Sequence, residues 1–576
     1  MQRPLDELVE PASLEAPLSA YREACRLFNW EDEEKKLLTK EGRINIAVLC
    51  LEGAGGRTSS YTRAFDIVEA GGDEPVFSSV SAGELEERVR RLSTGLRRRL
   101  GVRPGEAVAV YLPNGMEQAV SILGLSYMGA IASPIIDIYR VEPLKNRLRD
   151  LKPRILITSP AMIEDLDVGD VGSLTTLVLT GKPGGGSRSG PPAAIPFDQL
   201  LGEPRGDPEF VAPDHPFMIH YTPGTLGQPK GVLHAHGAAA GYLHTARWVF
   251  RLEAGSTFWC TSHPGWILGS VYGILAPLLC GATSILAPAD IDPGPLMSRL
   301  RPQAVYTVPS TLANMLTGGT RRMAAVDMSS VKVLASAGER LGTQLARDVR
   351  DACGVPVFDT WWMTETGMIM IGGSPSVPVK SGALGLPVPG VRAVVVDEKG
   401  TPLPPNALGL IAIEGTWPSM LKGIWGDEEA SGRYVHESRF LSSDYAYCDE
   451  DGYFWFQGRS EDFIKRGGEK ISPVEIEEVL SQHPAVEEAA VIGVTKEGRD
   501  RIIAYVVLAP GFEISEEVGG SVKDWIAGAM GSFARPDELR VIDALPKTRI
   551  GKVLKRELRA REAGAPSGGA PGRSNI

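Results

Sequence analysis

The chain has 576 residues, 43% apolar and 23% charged, with a formal net charge of −11. At roughly 100–200 residues per domain, that length calls for three or more folding units, and no apolar run approaches the ~20 residues of a membrane span. The acidic balance speaks against nucleic acid as a partner, since a broad polyanion surface needs net basic area; a small polyanion such as a nucleotide needs only a few local donors and stays open.

In chain order, the N-terminus "MQRPLDELVEPASLEAP" lacks the charged-then-apolar pattern of a signal peptide. The arginine-rich "ELEERVRRLSTGLRRRLGVRPG" (84–105) carries Leu and Val near helical spacing, so its arginines read as a solvated helix face. From residue 76 onward, β-rich runs such as "EAVAVYLP", "PRILITS" and "VKVLASAG" alternate with helical patterns, the rhythm of a parallel sheet covered by helices. "GKPGGGSRSGPPAAIP" (181–196) interrupts it as an exposed loop.

"YTPGTLGQPKG" (221–231) reads as neither helix nor strand. Its glycines let backbone amides converge on a ligand, its threonines add hydroxyl donors, and Lys230 adds a charge: the chemistry of a phosphate cradle. A plain surface turn stays open on composition alone. The stretch is not a Walker A loop, because no Ser or Thr follows Lys230 to hold Mg²⁺.

Beyond 385 the sequence reads as antiparallel strands. After "FQGR" comes a small α+β unit of about a hundred residues, and the tail "GAPSGGAPGRSNI" is low-complexity and reads as disordered. The six cysteines are scattered without a C-x-x-C pair, as expected of buried thiols in a reducing compartment, and the chain reads as cytoplasmic. The fold class expected is α/β: a large N-terminal domain of parallel-sheet subdomains with a β-rich subdomain (1–458), a small α+β C-terminal domain (459–562), and a disordered tail (563–576).

Four ordered motifs narrow the function: the glycine loop, "DTWWMTETG" (359–367), "SSDYAYCDEDGYFWFQGRSEDFIKRGGEKISPVEIEEVL" from 442, and "LPKTRIGKVLKREL" from 545. Together these resemble the adenylate-forming superfamily, and within it the AMP-forming acetyl-CoA synthetases, over nearly the whole chain. The resemblance implies ATP, CoA and Mg²⁺ as cosubstrates and cofactor, with a mobile C-terminal domain. A carboxylate attacks the α-phosphate of ATP to give an acyl-adenylate and pyrophosphate. The C-terminal domain then rotates, and the CoA thiol attacks the acyl carbon.

By the same resemblance, Thr222, Gly224, Thr225, Gly227 and Lys230 surround the β/γ-phosphates. Gly338, Glu339 and Arg340 line the adenine, with Asp359, Thr360 and Trp361 continuing that wall. Thr364 lies near the α-phosphate, and Glu365 is the Mg²⁺ ligand. Asp444 accepts the ribose hydroxyls, Arg459 makes a second ribose or phosphate contact, and Lys470 falls where the family usually places a phosphate-binding arginine. Lys552 is the mobile lysine bridging carboxylate and α-phosphate, and a candidate target for a lysine acetyltransferase and deacetylase. Glu461 takes the hinge position, while Gly467 and Gly468 border the pantetheine path. Ile267, Leu268, Ala337 and Trp362 form the acyl pocket, where the bulk of Trp362 leaves room for two or three carbons. His234 and His236 read as packing residues; His483 matches a position where some relatives hold a structural Mg²⁺.

Several positions depart from the family pattern: Pro223, Leu226, Leu268, Arg340, Ser443, Glu461 and Ile550. They bear on rate, nucleotide preference and acyl specificity more than on reaction class. Two alternatives stand beside a short-chain acyl-CoA synthetase: a ligase with another acid or a carrier-protein acceptor, and a low-activity binding relative.

Overall fold

The computed structural model describes residues 9–10, 18–53, 62–69, 74–139, 141–181, 192–223, 229–288, 291–316, 323–427, 434–436, 439–466, 469–496, 499–547 and 553–563. Two large sheets organise the N-terminal domain. Among the described residues, one has eight strands, ordered Gly423–Ile424, Pro229–Ala235, Pro216–Pro223, Ile131–Pro134, Ala107–Tyr111, Ile155–Thr158, Thr176–Leu179 and Ala193–Pro196. The other has nine, from Leu386–Pro387 through Ile371–Gly372, Val357–Trp361, Val333–Ser336, Ala304–Thr307, Thr257–Cys260, Thr283–Leu286 and Arg63–Glu69 to Val76–Ser81. Their central pairs are parallel, as the alternation of strand and helix in the sequence requires.

Helix character follows position. Met116–Tyr127 and Ala239–Phe250 are buried nearly all round, and they share one apolar cluster with residues of both sheets. A helix hydrophobic on every face belongs in such an interior. Ala82–Leu100 is instead two-faced. Ser81 and Glu84 form a capping box at its start, and Gly101 closes it in the left-handed conformation. Its arginines pair with acids at the surface, as in Arg90–Glu86, Arg91–Glu87 and Arg99–Glu203, so they form the solvated face expected.

A smaller antiparallel sheet, including Arg392–Val396, Gly409–Glu414, Arg439–Cys448 and Phe454–Arg459, follows. The C-terminal domain has its own core, with Ile464, Ile476, Val491, Ile502 and Ile526 among its members. It combines the hairpin Ile464–Arg466/Glu469–Ile471, the helices Pro473–Ser481 and Glu516–Met530, and the sheet Val486–Lys496, Arg499–Leu508 and Glu538–Val541. Among the described residues, no helix is long and apolar enough to cross a membrane.

Two sequence readings are corrected. The end of the expected 181–196 loop, Ala193–Pro196, is a strand paired in parallel with Thr176–Leu179; residues 182–191 lie outside the described residues. The stretch 221–231 is not free of regular structure either. Its two ends belong to antiparallel strands, Pro216–Pro223 and Pro229–Ala235, so Pro223, Pro229 and Gly231 all lie in strands; residues 224–228 lie outside the described residues. The tail from 564 onward also lies outside the described residues.

Candidate active site

The hairpin sets Thr222 directly opposite Lys230 and Tyr221 opposite Gly231. Residues directly opposite across an antiparallel pair present their side chains on the same face, so the hydroxyl and the ammonium share one face of the hairpin. Gly231 is required by close packing: a Cβ there would come within 3.0 Å of Ile219 and 3.1 Å of Trp425. The strand Gly423–Ile424 pairs along the second hairpin strand, and Trp425 N donates to Gly231 O at 2.7 Å. Gly224, Thr225 and Gly227, with Leu226, lie outside the described residues.

The "TETG" turn follows the strand Val357–Trp361 and is clamped by the "WPSM" segment. Trp417 Nε1 and Ser419 Oγ both donate to Thr366 O, at 2.7 and 2.8 Å. Gly367 has φ +77°, and a Cβ there would meet Ser419 O at 2.2 Å. Two motifs far apart in sequence are thus one packed unit. Glu365 is held 8% exposed. Burial raises its carboxyl pKa, against a hydrogen bond from Tyr434 and the charges of Lys230 and Arg459. Those interactions place Lys230, Glu365 and Arg459 in one electrostatic neighbourhood, with half-buried Thr364 adjacent in sequence.

Asp444 and Arg459 are register partners on neighbouring strands, and Arg459 Nε stands 3.7 Å from Asp444 Oδ1. Asp444 Oδ2 accepts a hydrogen bond from Trp361 Nε1 at 2.7 Å. Trp361, expected as part of the adenine wall, therefore also orients the expected ribose carboxylate. Asp359 Oδ1 accepts from Ser336 Oγ at 3.1 Å and from Thr360 N at 2.9 Å; burial pushes its carboxyl up to about 7. Gly338 adopts φ +81°, which favours glycine. The Glu339 carboxylate is engaged by Ser310 N and Oγ at 3.0 and 3.1 Å, so its side chain braces the helix Pro309–Leu316. Arg340 pairs with Glu478 on the C-terminal helix Pro473–Ser481, and Thr343 Oγ1 donates to the same carboxylate.

Of the residues expected at the acyl pocket, Ile267 and Leu268 open a helical stretch that passes through a π-helical turn at Val271–Leu275. Both are buried, as is Ala337, and Trp362 packs against the apolar cluster that contains all three. Trp362 Nε1 donates to Tyr306 OH at 2.9 Å, and the indole stands edge-on to Tyr272, with centroids 5.2 Å apart at 82°.

Lys552, Gly467, Gly468 and Ile550 lie outside the described residues. Of Lys470, only the backbone is described, paired with Lys465. Glu461 sits in a single turn, Ser460–Asp462, 3.9 Å from Arg459 Nη1. His234 and His236 are fully buried, and His236 Nδ1 accepts from Ile46 N at 3.1 Å. His483 hydrogen-bonds Ser521 Oγ at 3.1 Å and packs edge-on to Trp525. Sequence reasoning missed Tyr306, Tyr434, Trp417, Ser419 and Glu478. Trp417 and Ser419 carried a signal as part of "WPSMLKGIW", a stretch specific to the resembling subfamily, and Glu478 as one acid of the "EIEE" run; Tyr306 and Tyr434 are ordinary core or loop residues until the chain folds.

A Mg²⁺ beside nucleotide phosphates takes one or two protein carboxylates and keeps several waters. Glu365, a single buried carboxylate next to Lys230, fits that habit. Among the described residues, no group of three or more His, Cys, Asp or Glu is placed to hold a metal.

The chain matches the family described as AMP-binding enzyme over residues 68–425, and the AMP-binding enzyme C-terminal domain over 475–552. It is 34% identical over 559 residues to acetyl-coenzyme A synthetase of Bacillus subtilis (strain 168), covering 96% of each chain. It is 32% identical to the protein of the same name from Nitrosomonas europaea, covering 91% of this chain and 85% of that one. Its structure resembles the anthranilate CoA ligase AuaEII in complex with anthranoyl-AMP, with TM-score 0.79 and 26% identity over 91% of this chain and 98% of that one. It likewise resembles a benzoate CoA ligase from Burkholderia xenovorans LB400, with TM-score 0.76 and 26% identity over 90% and 100%. Matches that run from the hairpin 216–235 through the Trp361–Asp444 pair to the small C-terminal domain make the chain a member of the AMP-binding enzyme family, among its adenylate-forming acid–CoA ligases.

Proposed function

We propose that the enzyme activates a short carboxylate, acetate first and propionate second, and transfers the acyl group to CoA. The observation that carries this reading is the held indole of Trp362 at the acyl side, which fills the space a longer chain would need. A carboxylate oxygen attacks the α-phosphorus of ATP and pyrophosphate leaves. The CoA thiol then attacks the acyl carbon, and AMP leaves with the bridging oxygen. The first step asks little covalent chemistry of the protein, so positioning and charge dominate.

Thr222 and Lys230, with Gly224, Thr225 and Gly227, hold the β/γ-phosphates. Asp444, oriented by Trp361, accepts the ribose hydroxyls, and Arg459 stands beside it. Residues 338–340 and 359–361 wall the adenine. A Mg²⁺ bound through Glu365 supplies charge neutralisation at the phosphates. Lys552 bridges carboxylate and α-phosphate in the first step, with Thr364 near the α-phosphate and Lys470 as a further phosphate contact. Domain 459–562 then turns about Glu461 against domain 1–458, so that Gly467 and Gly468 border the pantetheine. Acetylation of Lys552 by a lysine acetyltransferase removes the charge this role needs, a switch a deacetylase would reset. A cytoplasmic setting supplies ATP and CoA.

The test is pyrophosphate release over a series of linear acids, with and without CoA. Acetate and propionate should support release that turns over only when CoA is present. Release independent of added acid, or fastest with long acids, contradicts the reading.

A further inference from the structure

We infer that Tyr306 is a specificity-determining positioning residue, whose phenol fixes the plane of the Trp362 indole and so sets the acyl-length limit. The inference rests on the reading of Trp362 as the floor of the acyl pocket. Tyr306 lies on the central strand Ala304–Thr307 and is fully buried. Its hydroxyl accepts from Trp362 Nε1 at 2.9 Å and stands 2.6 Å from Thr360 Oγ1. Thr360 Oγ1 in turn donates to Ser336 O at 2.7 Å.

Only one proton arrangement satisfies every member. The indole N–H can only donate, and the single Thr360 hydroxyl proton goes to the Ser336 carbonyl. The phenol proton must then go to Thr360, leaving the phenol oxygen to accept from the indole. Burial keeps the phenol neutral, its pKa well above the usual range, so it holds the proton the relay needs. The far end is anchored on rigid elements: Ser336 and Thr360 sit on adjacent parallel strands, and Asp359 Oδ1 ties Ser336 Oγ to Thr360 N. The indole is therefore held at two points, its nitrogen by Tyr306 and its ring by the edge contact with Tyr272. Turning it would cost the half-buried indole N–H its acceptor, and largely buried polar groups are usually kept paired.

Tyr306→Phe removes one oxygen and keeps the ring. One methylene in an apolar pocket is discriminated by about 10–200-fold. The variant should lose about tenfold of that, as a rise in the butyrate-to-acetate ratio of kcat/KM expressed mainly in the KM for acid. Tyr272→Phe is the control. It deletes a comparably buried hydroxyl, which accepts from Ile369 N and is not bonded to the indole, and should leave the ratio within about twofold. A readout independent of turnover is the fluorine spectrum of protein labelled with 5-fluorotryptophan, with the Trp362 resonance assigned by its loss in Trp362→Phe. That resonance should move in Tyr306→Phe and stay in Tyr272→Phe. An unmoved resonance and ratio in Tyr306→Phe, or equal changes in both variants, would overturn the relay. An acid profile indifferent to Trp362→Gly would instead remove the pocket reading and the specificity role with it, a failure distinguishable from a fluorine resonance that ignores Tyr306→Phe.

Discussion

Asp359 illustrates how a single residue carries the chemistry of its surroundings. Burial pushes its carboxyl up to about 7, against hydrogen bonds from Thr360 N and Ser336 and the charge of Arg340. A carboxyl that holds its proton more tightly folded than unfolded adds stability that is complete below the unfolded value, about 3.9. That stability is lost as pH rises through the folded value. Asp359→Asn keeps an acceptor for Ser336 and Thr360 and carries no charge, so its melting temperature should gain on the parent protein from about pH 5 to about pH 8. Parallel melting profiles across that range would contradict the burial argument. Trp362 makes the complementary case on the acyl side. Trp362→Gly should move preference toward longer linear acids, each newly buried methylene gaining about 0.8 kcal/mol; an unchanged acid panel would show that another residue closes the pocket. At this scale a motif names Glu365 and Asp444, and the structure buries both. The sequence was silent on Trp361 as the donor to Asp444, because 83 residues separate the two and only the fold brings them together.

Elements were read well where their burial leaves a pattern. The parallel strands and the largely buried helices that share the central apolar cluster announce themselves by their apolar-rich composition. Ala193–Pro196 did not, because it is a largely exposed edge strand whose pairing alone makes it a strand, and edges carry little apolar signal. The hairpin at 216–235 reads as irregular in the sequence because three glycines and two prolines dominate the eleven positions 221–231. Pro223 and Pro229 sit at its strand ends, where proline is tolerated. The interlock of "TETG" with "WPSM" yields a sharp expectation. Gly367→Ala would place a methyl 2.2 Å from the backbone oxygen of Ser419 at a positive φ, a clash that no rotamer relieves because the Cβ position is fixed by the backbone. The loss should be about 2–4 kcal/mol, at the upper end of single substitutions, read as a lower denaturant midpoint for the large domain. A midpoint unchanged within error would mean the clamp is not tight.

Across the whole molecule, the division into a large and a small domain was legible from the change of texture after "FQGR", but the contact between them was not. Arg340, in the segment expected to line the adenine, pairs with Glu478 of the small domain, both side chains about three-quarters buried. The proposed domain rotation must break that pair in one of its two arrangements. Glu478→Gln removes the charge and keeps the shape, so adenylation and CoA transfer, measured separately, should change in opposite directions as the balance of arrangements shifts. Equal changes in both half-reactions would show the pair to be structural only. The central claim, attack of a carboxylate oxygen on the α-phosphate, is tested most directly by turning over acetate labelled with oxygen-18 in both oxygens and weighing the products. The adenylate route predicts one labelled oxygen in AMP and none in pyrophosphate. Label in inorganic phosphate with ADP as the nucleotide product, or unlabelled AMP, would contradict it.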